Sequence, residues 1–490
     1  MFKRLLYFSC FYSIFLSTVS CTPQGPAGYW YGTVDCLGKG HQTLVIEGSD
    51  KVPYMAHLDN IELGAIGIPF KNLVVTGKTF HGEIGMDGAV DLTLVDPDTL
   101  KGTMKMTSDS LSLIAGKTYP MEMKRGLLYS FPRVDPHNKA VTDYTYRKPA
   151  RTDDGWEPGE IQEAGGDRNK LEDAVKAVLK QDGPNLHSLL LVRHGKLLLD
   201  EYFYGYGPDE THQLQSTTKS VLSILMGIAQ DQHLLKTTDK LMAYFPGYRT
   251  KPNWDARKNK ITLGNLLTMT SGFACDDGQY RKSGGAGCEM DMLAAPDWLD
   301  FLLNQPMAHA PGRHYSYCTS CLTLLSAVLA KQSGMSVGDF AQKYLYDPLG
   351  IQGGQWLTGP NGMTEVGATH WLRPRDMAKL GLLYLNKGIW NGKQVVSSKW
   401  VEGSTIPQPI PPDGKPWPTF TGYGYLWWSQ KIPTPGGDIF TYFANGKGGQ
   451  YIIVVPEMDL VCVMTAGYYQ AWSSDQGMEF FKDTILKIFS

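Results

Sequence analysis

The stretch Gln213-Leu-Gln-Ser216-Thr-Thr-Lys219-Ser-Val-Leu-Ser-Ile-Leu-Met226 passes from a polar lead-in straight into apolar residues at helical spacing. Side chains three apart on a helix project from one face about a turn apart, so Lys219 is expected to reach the Ser216 hydroxyl. A helix starting near Gln215 also puts Ser216 at its positive end, where backbone N–H groups without helical partners favour developing negative charge. Nucleophile, base and anion site would then coincide. Lys219 is the only lysine in the chain with a serine three residues before it. The plain alternative makes Ser216 a helix N-cap and Lys219 a solvated first-turn charge, and the motif taken alone favours that alternative.

With 490 residues, 42% of them hydrophobic and 11% aromatic, the chain has room for two globular units and a large core. Its formal net charge of −2, from 46 basic against 48 acidic residues, lacks the basic footprint that nucleic-acid binding requires. The expected partner is a small-molecule or short-peptide substrate, with no nucleic acid. Nothing in the sequence specifies an oligomeric state.

The chain opens Met1-Phe-Lys3-Arg4, then runs apolar from Leu5 to Val19, softened by Ser, Tyr and Cys, and reaches Ser20-Cys21. This order reads as a secretory signal peptide over residues 1–21, too short and interrupted for a transmembrane helix. Export to the periplasm or cell envelope follows as the expectation. Cys21 resembles the lipidation site of bacterial lipoproteins, which would limit membrane contact to an N-terminal lipid anchor. Thr18 departs from that pattern, and plain cleavage with release of a soluble protein is the alternative. Beyond the signal and Cys21, six cysteines remain, and export permits disulfides. Cys275 and Cys288, which bracket the glycine-rich Ser283-Gly-Gly-Ala-Gly287, are the expected pair. Cys318 and Cys321 have Cys-x-x-Cys spacing, but no second such pair or His pair stands at zinc-site spacing, so neither a metal nor another cofactor is expected.

Residues 29–124 hold about seven short runs with β character, among them Gln42–Glu47, Val90–Val95 and Leu100–Met106, several alternating with period two. They predict a small β-sandwich or barrel over residues 27–126, without an acid–base constellation. Residues 127–165, rich in Pro, Asp, Gly and Arg, read as a linker. An amphipathic helix over 169–181 and a hairpin turning at Arg193-His194-Gly195 then lead into the Ser216 helix. A mostly helical middle, four strands from Tyr423 to Ala466 and a closing helix from about Ser474 complete a unit over 166–490. The predicted class is α/β: one antiparallel sheet flanked by helices, with an all-helical insertion.

Two further segments carry chemistry. In Pro311-Gly-Arg-His-Tyr-Ser-Tyr317-Cys318-Thr319-Ser320, a turn entering a helix, Tyr317 can point its hydroxyl into a cleft and act as a base, or simply be a packed aromatic. In Tyr442-Phe-Ala444-Asn445-Gly446-Lys447-Gly448-Gly449-Gln450 the glycines allow close approach to a substrate, so that a strand-edge N–H faces Ser216, or they simply make a hairpin turn. The three segments, in this order, resemble the serine β-lactamase and penicillin-binding protein superfamily. The nearest likeness is to class C β-lactamase-like serine hydrolases, the group of family VIII esterases and 6-aminohexanoate-dimer hydrolases. Leu266-Leu-Thr-Met-Thr-Ser-Gly272, Pro311-Gly312, Arg375-Asp376-Met-Ala-Lys379, Tyr423-Gly-Tyr-Leu-Trp-Trp428 and Gly448-Gly-Gln450 support it, over roughly residues 170–490.

The resemblance implies an acyl-enzyme on Ser216, with Lys219 and Tyr317 sharing its proton. It further implies an oxyanion hole from the Ser216 N–H and a strand N–H near Lys447, between Gly446 and Gly448. Two departures matter. Thr319 stands where the family often has an Asn that donates to substrate, and Ala444-Asn-Gly446, or Gly446-Lys-Gly448, stands for the Lys-Thr-Gly that helps bind a β-lactam carboxylate. The expectation is an exported serine hydrolase cleaving an ester or amide. The alternatives are a β-lactamase or D,D-carboxypeptidase, and a catalytically idle cell-envelope binding protein in which the β unit does the work.

Overall fold

The computed structural model describes residues 25–35, 39–49, 51–61, 65–84, 88–106, 116–277, 288–409, 422–467 and 476–490. The expected signal peptide, Cys21 and the 283–287 glycine loop lie outside the described residues. Among the described residues no helix is long and apolar enough to cross a membrane.

Eight strands open the described chain: β1 Gly28–Asp35, β2 Lys39–Ser49, β3 Val52–Asn60, β4 Ala65–Thr76, β5 Thr79–Ile84, β6 Gly88–Asp96, β7 Thr99–Met106 and β8 Thr118–Arg125. Each pairs antiparallel with the next, and β8 returns to β1, so the sheet closes into a barrel. Alternation places one face inside: along β6, Val90, Leu92 and Leu94 are buried while Asp91 and Thr93 are not. Trp30, Leu44, Leu58, Phe80, Leu100 and Met123 join them in a packed interior, as expected for a barrel of this strand number. The strand missed by pattern is β3. It buries only Leu58 and Asp59 near one end, so its period-two signal is faint.

Residues 126–167 form turns and single bridges rather than regular elements, yet they are a fixed strap. Tyr144 donates to Glu201 (2.8 Å), Tyr146 to the Leu198 carbonyl (3.1 Å) and the Trp156 indole to the Arg375 carbonyl (3.2 Å). Arg375, itself buried, meets Asp154 at 3.1 Å and Asp200 at 3.7 Å.

The rest of the chain builds β9 Leu186–Arg193, β10 Lys196–Tyr202, β11 His212–Gln213, β12 Gln355–Trp356, β13 His370–Leu372, β14 Ile389–Trp390, β15 Lys393–Gln394, β16 Gly422–Tyr423, β17 Trp428–Ile432, β18 Ile439–Gly446, β19 Gln450–Val455 and β20 Leu460–Ala466. The main sheet runs β10-β9-β20-β19-β18-β17-β16, antiparallel throughout. Every residue of β19 and β20 is buried, because helices cover both faces. On one face lie α1 (Arg168–Leu179) and the closing helical segment 476–489, tied where the Asp167 N–H donates to the Ile488 carbonyl (2.8 Å). On the other lies helix Pro374–Leu385, whose Gly381 faces Ile452 and Val461. Helix α2, Thr218–Asp231, is buried at every position from Thr218 to Ala229, as a helix enclosed on all sides must be.

Two expectations are corrected. The segment between β10 and β16 is helix-rich but not all-helical: it contains a three-stranded sheet, β11-β13-β12, and the β14–β15 hairpin. Strands of two or three residues are too short to leave a period in the sequence. Where four strands are expected from Tyr423 to Ala466 there are five, because the first stretch breaks into β16 and β17 around Leu426, whose φ of 63° is left-handed. Cys275 is bonded to Cys288, and Cys318 to Cys321; Cys462 is a buried free thiol.

Candidate active site

Strand β11 delivers the nucleophile segment. It pairs with β13, and the Leu214 N–H donates to the His370 carbonyl (2.8 Å). Gln215 then takes a left-handed φ of 49°, and a 3-10 turn over Gln215–Thr217 leads into α2. Two buried hydroxyls hold the helix start: Thr217 Oγ1 donates to the Gln450 carbonyl (3.2 Å) and Ser220 Oγ to the Leu426 carbonyl (2.7 Å). The end of β18 lies against this turn. A Cβ on Gly446 would sit 2.3 Å from the Leu214 carbonyl oxygen, so only glycine permits that approach.

Ser216 is half-buried and Lys219 is 1% exposed. Lys219 Nζ bonds Ser216 Oγ at 2.8 Å and the Gly367 carbonyl at 2.7 Å. The ring of Tyr317 lies with its centroid 4.9 Å from Nζ and stacks toward Trp428 at 6.2 Å. Its backbone is held because the Asp277 N–H donates to the Tyr317 carbonyl (2.9 Å), while Ser316 Oγ donates to Asp276 (2.8 Å). Behind it, burial pushes the phenols of Tyr315 and Tyr423 well above their ordinary range, which keeps both neutral. Tyr317 is thus the half-buried phenol of an otherwise sealed aromatic cluster.

Ser216, Lys219, Tyr317 and Gly446 converge. Thr319 does not face them freely: it is buried, and both its N–H (3.1 Å) and its hydroxyl (2.6 Å) donate to Asp277 Oδ2. Lys447 is exposed in the β18–β19 turn, followed by Gly448 and Gly449 with φ of 86° and 95°. Sequence reasoning missed Asp277 and the Gly367 carbonyl. An acidic pair after Cys275 was visible, whereas a backbone carbonyl 148 residues from its lysine leaves no trace in composition or spacing. The sulfurs of Cys275, Cys318 and Cys321 lie within 4.8 Å of one another, but all three are committed to disulfides and offer no thiolate to a metal.

Residues 171–471 match the protein family described as Beta-lactamase. An uncharacterized protein of Alkalihalophilus pseudofirmus is 21% identical over 330 residues, covering 60% of this chain and 87% of that protein. A 6-aminohexanoate-dimer hydrolase of Paenarthrobacter ureafaciens is 22% identical over 223 residues, 44% of this chain and 56% of the relative. Among solved structures, a Bacillus anthracis protein named for 6-aminohexanoate-dimer hydrolase superposes with a TM-score of 0.51 at 19% identity, covering 70% of this chain and 87% of that one. The shared feature there is the fold. Because the family match spans well over half of the chain and contains Ser216, Lys219, Tyr317 and Gly446, this chain belongs to the beta-lactamase family of serine hydrolases.

Proposed function

We propose that the chain is an exported serine hydrolase that cleaves an ester or amide of a small molecule or short peptide through an acyl-Ser216 intermediate. The observation that carries this reading is the 2.8 Å bond between Lys219 Nζ and Ser216 Oγ. In the reaction Ser216 Oγ gives its proton to the Lys219–Tyr317 pair and attacks the substrate carbonyl. The oxyanion is met by the Ser216 N–H and the N–H of Lys447, just past the end of β18. The same pair returns the proton to the leaving group, and water then repeats the sequence on the acyl-enzyme.

Ester or amide substrates are favoured over β-lactams because the β18 segment reads Ala444-Asn445-Gly446 and lacks the Lys and Thr that help hold a β-lactam carboxylate. A relative named as a 6-aminohexanoate-dimer hydrolase supports the same choice. Export is supported by the signal-like start and by two disulfides, which persist in oxidising compartments. The test is labelling by a fluorophosphonate, together with turnover of a p-nitrophenyl ester and of nitrocefin. The expected result is labelling and ester turnover that Ser216→Ala abolishes, with nitrocefin the poorer substrate. Nitrocefin turnover exceeding that of the ester would transfer the assignment to β-lactamase, and absence of labelling in folded protein would favour the idle binding protein.

A further inference from the structure

Against Lys219 lies the loop 365–369, built around a carboxylate that is 0% exposed. Glu365 Oε1 accepts from the Gly367 N–H (2.5 Å), and Oε2 accepts from the N–H groups of Ala368 (2.9 Å) and Thr369 (2.7 Å) and from Thr369 Oγ1 (2.5 Å). A buried carboxylate is costly unless its lone pairs are used, and here the chain wraps around it so that four donors converge. Three consecutive peptide groups are thereby fixed. The carbonyl of the middle residue's neighbour, Gly367, faces outward from this wrap and accepts from Lys219 Nζ at 2.7 Å.

The loop has no slack. A Cβ on Gly367 would sit 2.5 Å from Thr319 Cγ2 and 3.0 Å from the Thr319 carbonyl, so the loop is wedged between the lysine of the first segment and Thr319 of the second. It continues directly into His370, whose carbonyl accepts from Leu214 N–H, two residues before Ser216. Both members of the Ser216–Lys219 pair are therefore referenced to one turn.

We propose that Glu365 is a positioning residue for this pair: by holding the Gly367 carbonyl in place it orients Lys219 Nζ toward Ser216 Oγ. The inference rests on the reading of Ser216 as nucleophile and the Lys219–Tyr317 pair as its proton acceptor. A donor–acceptor geometry this short is what proton transfer needs, and an ångström of misplacement costs roughly a hundredfold in rate. Glu365→Gln keeps the shape of the side chain but turns one acceptor into an NH₂ group facing backbone donors. Thr369→Val removes a single donor from the carboxylate and leaves the charge.

The experiment measures, on the full chain, both the rate constant and the final stoichiometry of fluorophosphonate labelling. Glu365→Gln is expected to label about 10- to 100-fold more slowly, and Thr369→Val a few-fold more slowly, with final stoichiometry close to wild type. The kcat for a p-nitrophenyl ester should fall by the same factors while KM stays within about twofold. Wild-type labelling rates in both variants would overturn the proposal. So would a loss of activity matched by a loss of labelable protein, which would mean fewer intact molecules rather than misaligned ones. If Glu365→Gln does not fold, Thr369→Val decides. Residual labelling in Ser216→Ala would instead overturn the nucleophile reading and leave the Glu365 variants to be reread, so the two failures are distinguishable.

Discussion

The barrel and the α/β unit both bury apolar side chains but differ in how much charge they take out of water. Among the described residues the barrel buries no lysine, arginine or glutamate, its one buried acid being Asp59, and the Lys101–Glu122 pair, at 2.9 Å, is about half exposed. The α/β unit takes Lys219, Glu365, Asp376 and Lys379 out of water almost completely. Buried charge is a liability unless every partner is in place. A region that carries it is organised around those groups, whereas the barrel is organised mainly around its apolar core. The difference points to the α/β unit as the place where geometry matters to within an ångström.

The largest effect that would break this contrast lies at the site. Tyr317→Phe should lower kcat by about two to four powers of ten while leaving the thermal midpoint close to wild type, since a half-buried hydroxyl is removed from a packed ring. Steady-state kinetics with an ester checks this; an unchanged kcat would remove Tyr317 from proton transfer. Next comes Asp376→Asn, which leaves Lys379, 3.2 Å away and fully buried, without its counter-charge. Removing one partner of such a pair costs about 3–5 kcal/mol. Region-resolved hydrogen exchange should show lost protection in the α/β unit and none in the barrel.

A more gradual effect depends on pH. His370 is buried between Trp356 and Tyr346, and desolvation lowers its pKa to about 3. In the unfolded chain it titrates near 6.5, so as pH falls below that value the unfolded state binds a proton that the folded state refuses. Stability should drop by up to about 1.4 kcal/mol per pH unit between roughly 6.5 and 3 on account of this residue. Urea midpoints at several pH values, flatter in His370→Gln, would show it. The smallest effect belongs to the barrel: Glu122→Gln removes an exposed, solvent-screened contact and should leave the urea midpoint unchanged in the same measurements. A lowered midpoint would mean that the barrel too depends on its charges.

Much of this arrangement was legible in the sequence, and the reasons are local. The Ser216–Lys219 spacing is read directly because helical period brings residues three apart together whatever surrounds them. Alternation along β6 and β7 predicted strands for the same reason, and His194-Gly195 marked a hairpin because both residues tolerate the left-handed conformation they adopt, at φ of 52° and 70°. Where an element was too short, as in β11, β12 and β13, periodicity had nothing to act on.

The sequence by itself determined which groups are chemically able to act: one serine with a lysine a turn away, a tyrosine at a helix entrance, and glycines at a strand end. It also determined that charge is balanced and that two kinds of unit follow one another. Only the tertiary structure decided that β8 closes on β1, that Thr319 turns to Asp277, and that the Gly367 carbonyl, shaped by Glu365, meets Lys219. The physical reason is the range of the interaction. A side chain's conformation along its own element is set by neighbours a few residues away, while a backbone carbonyl acquires a role only when folding brings a distant segment against it.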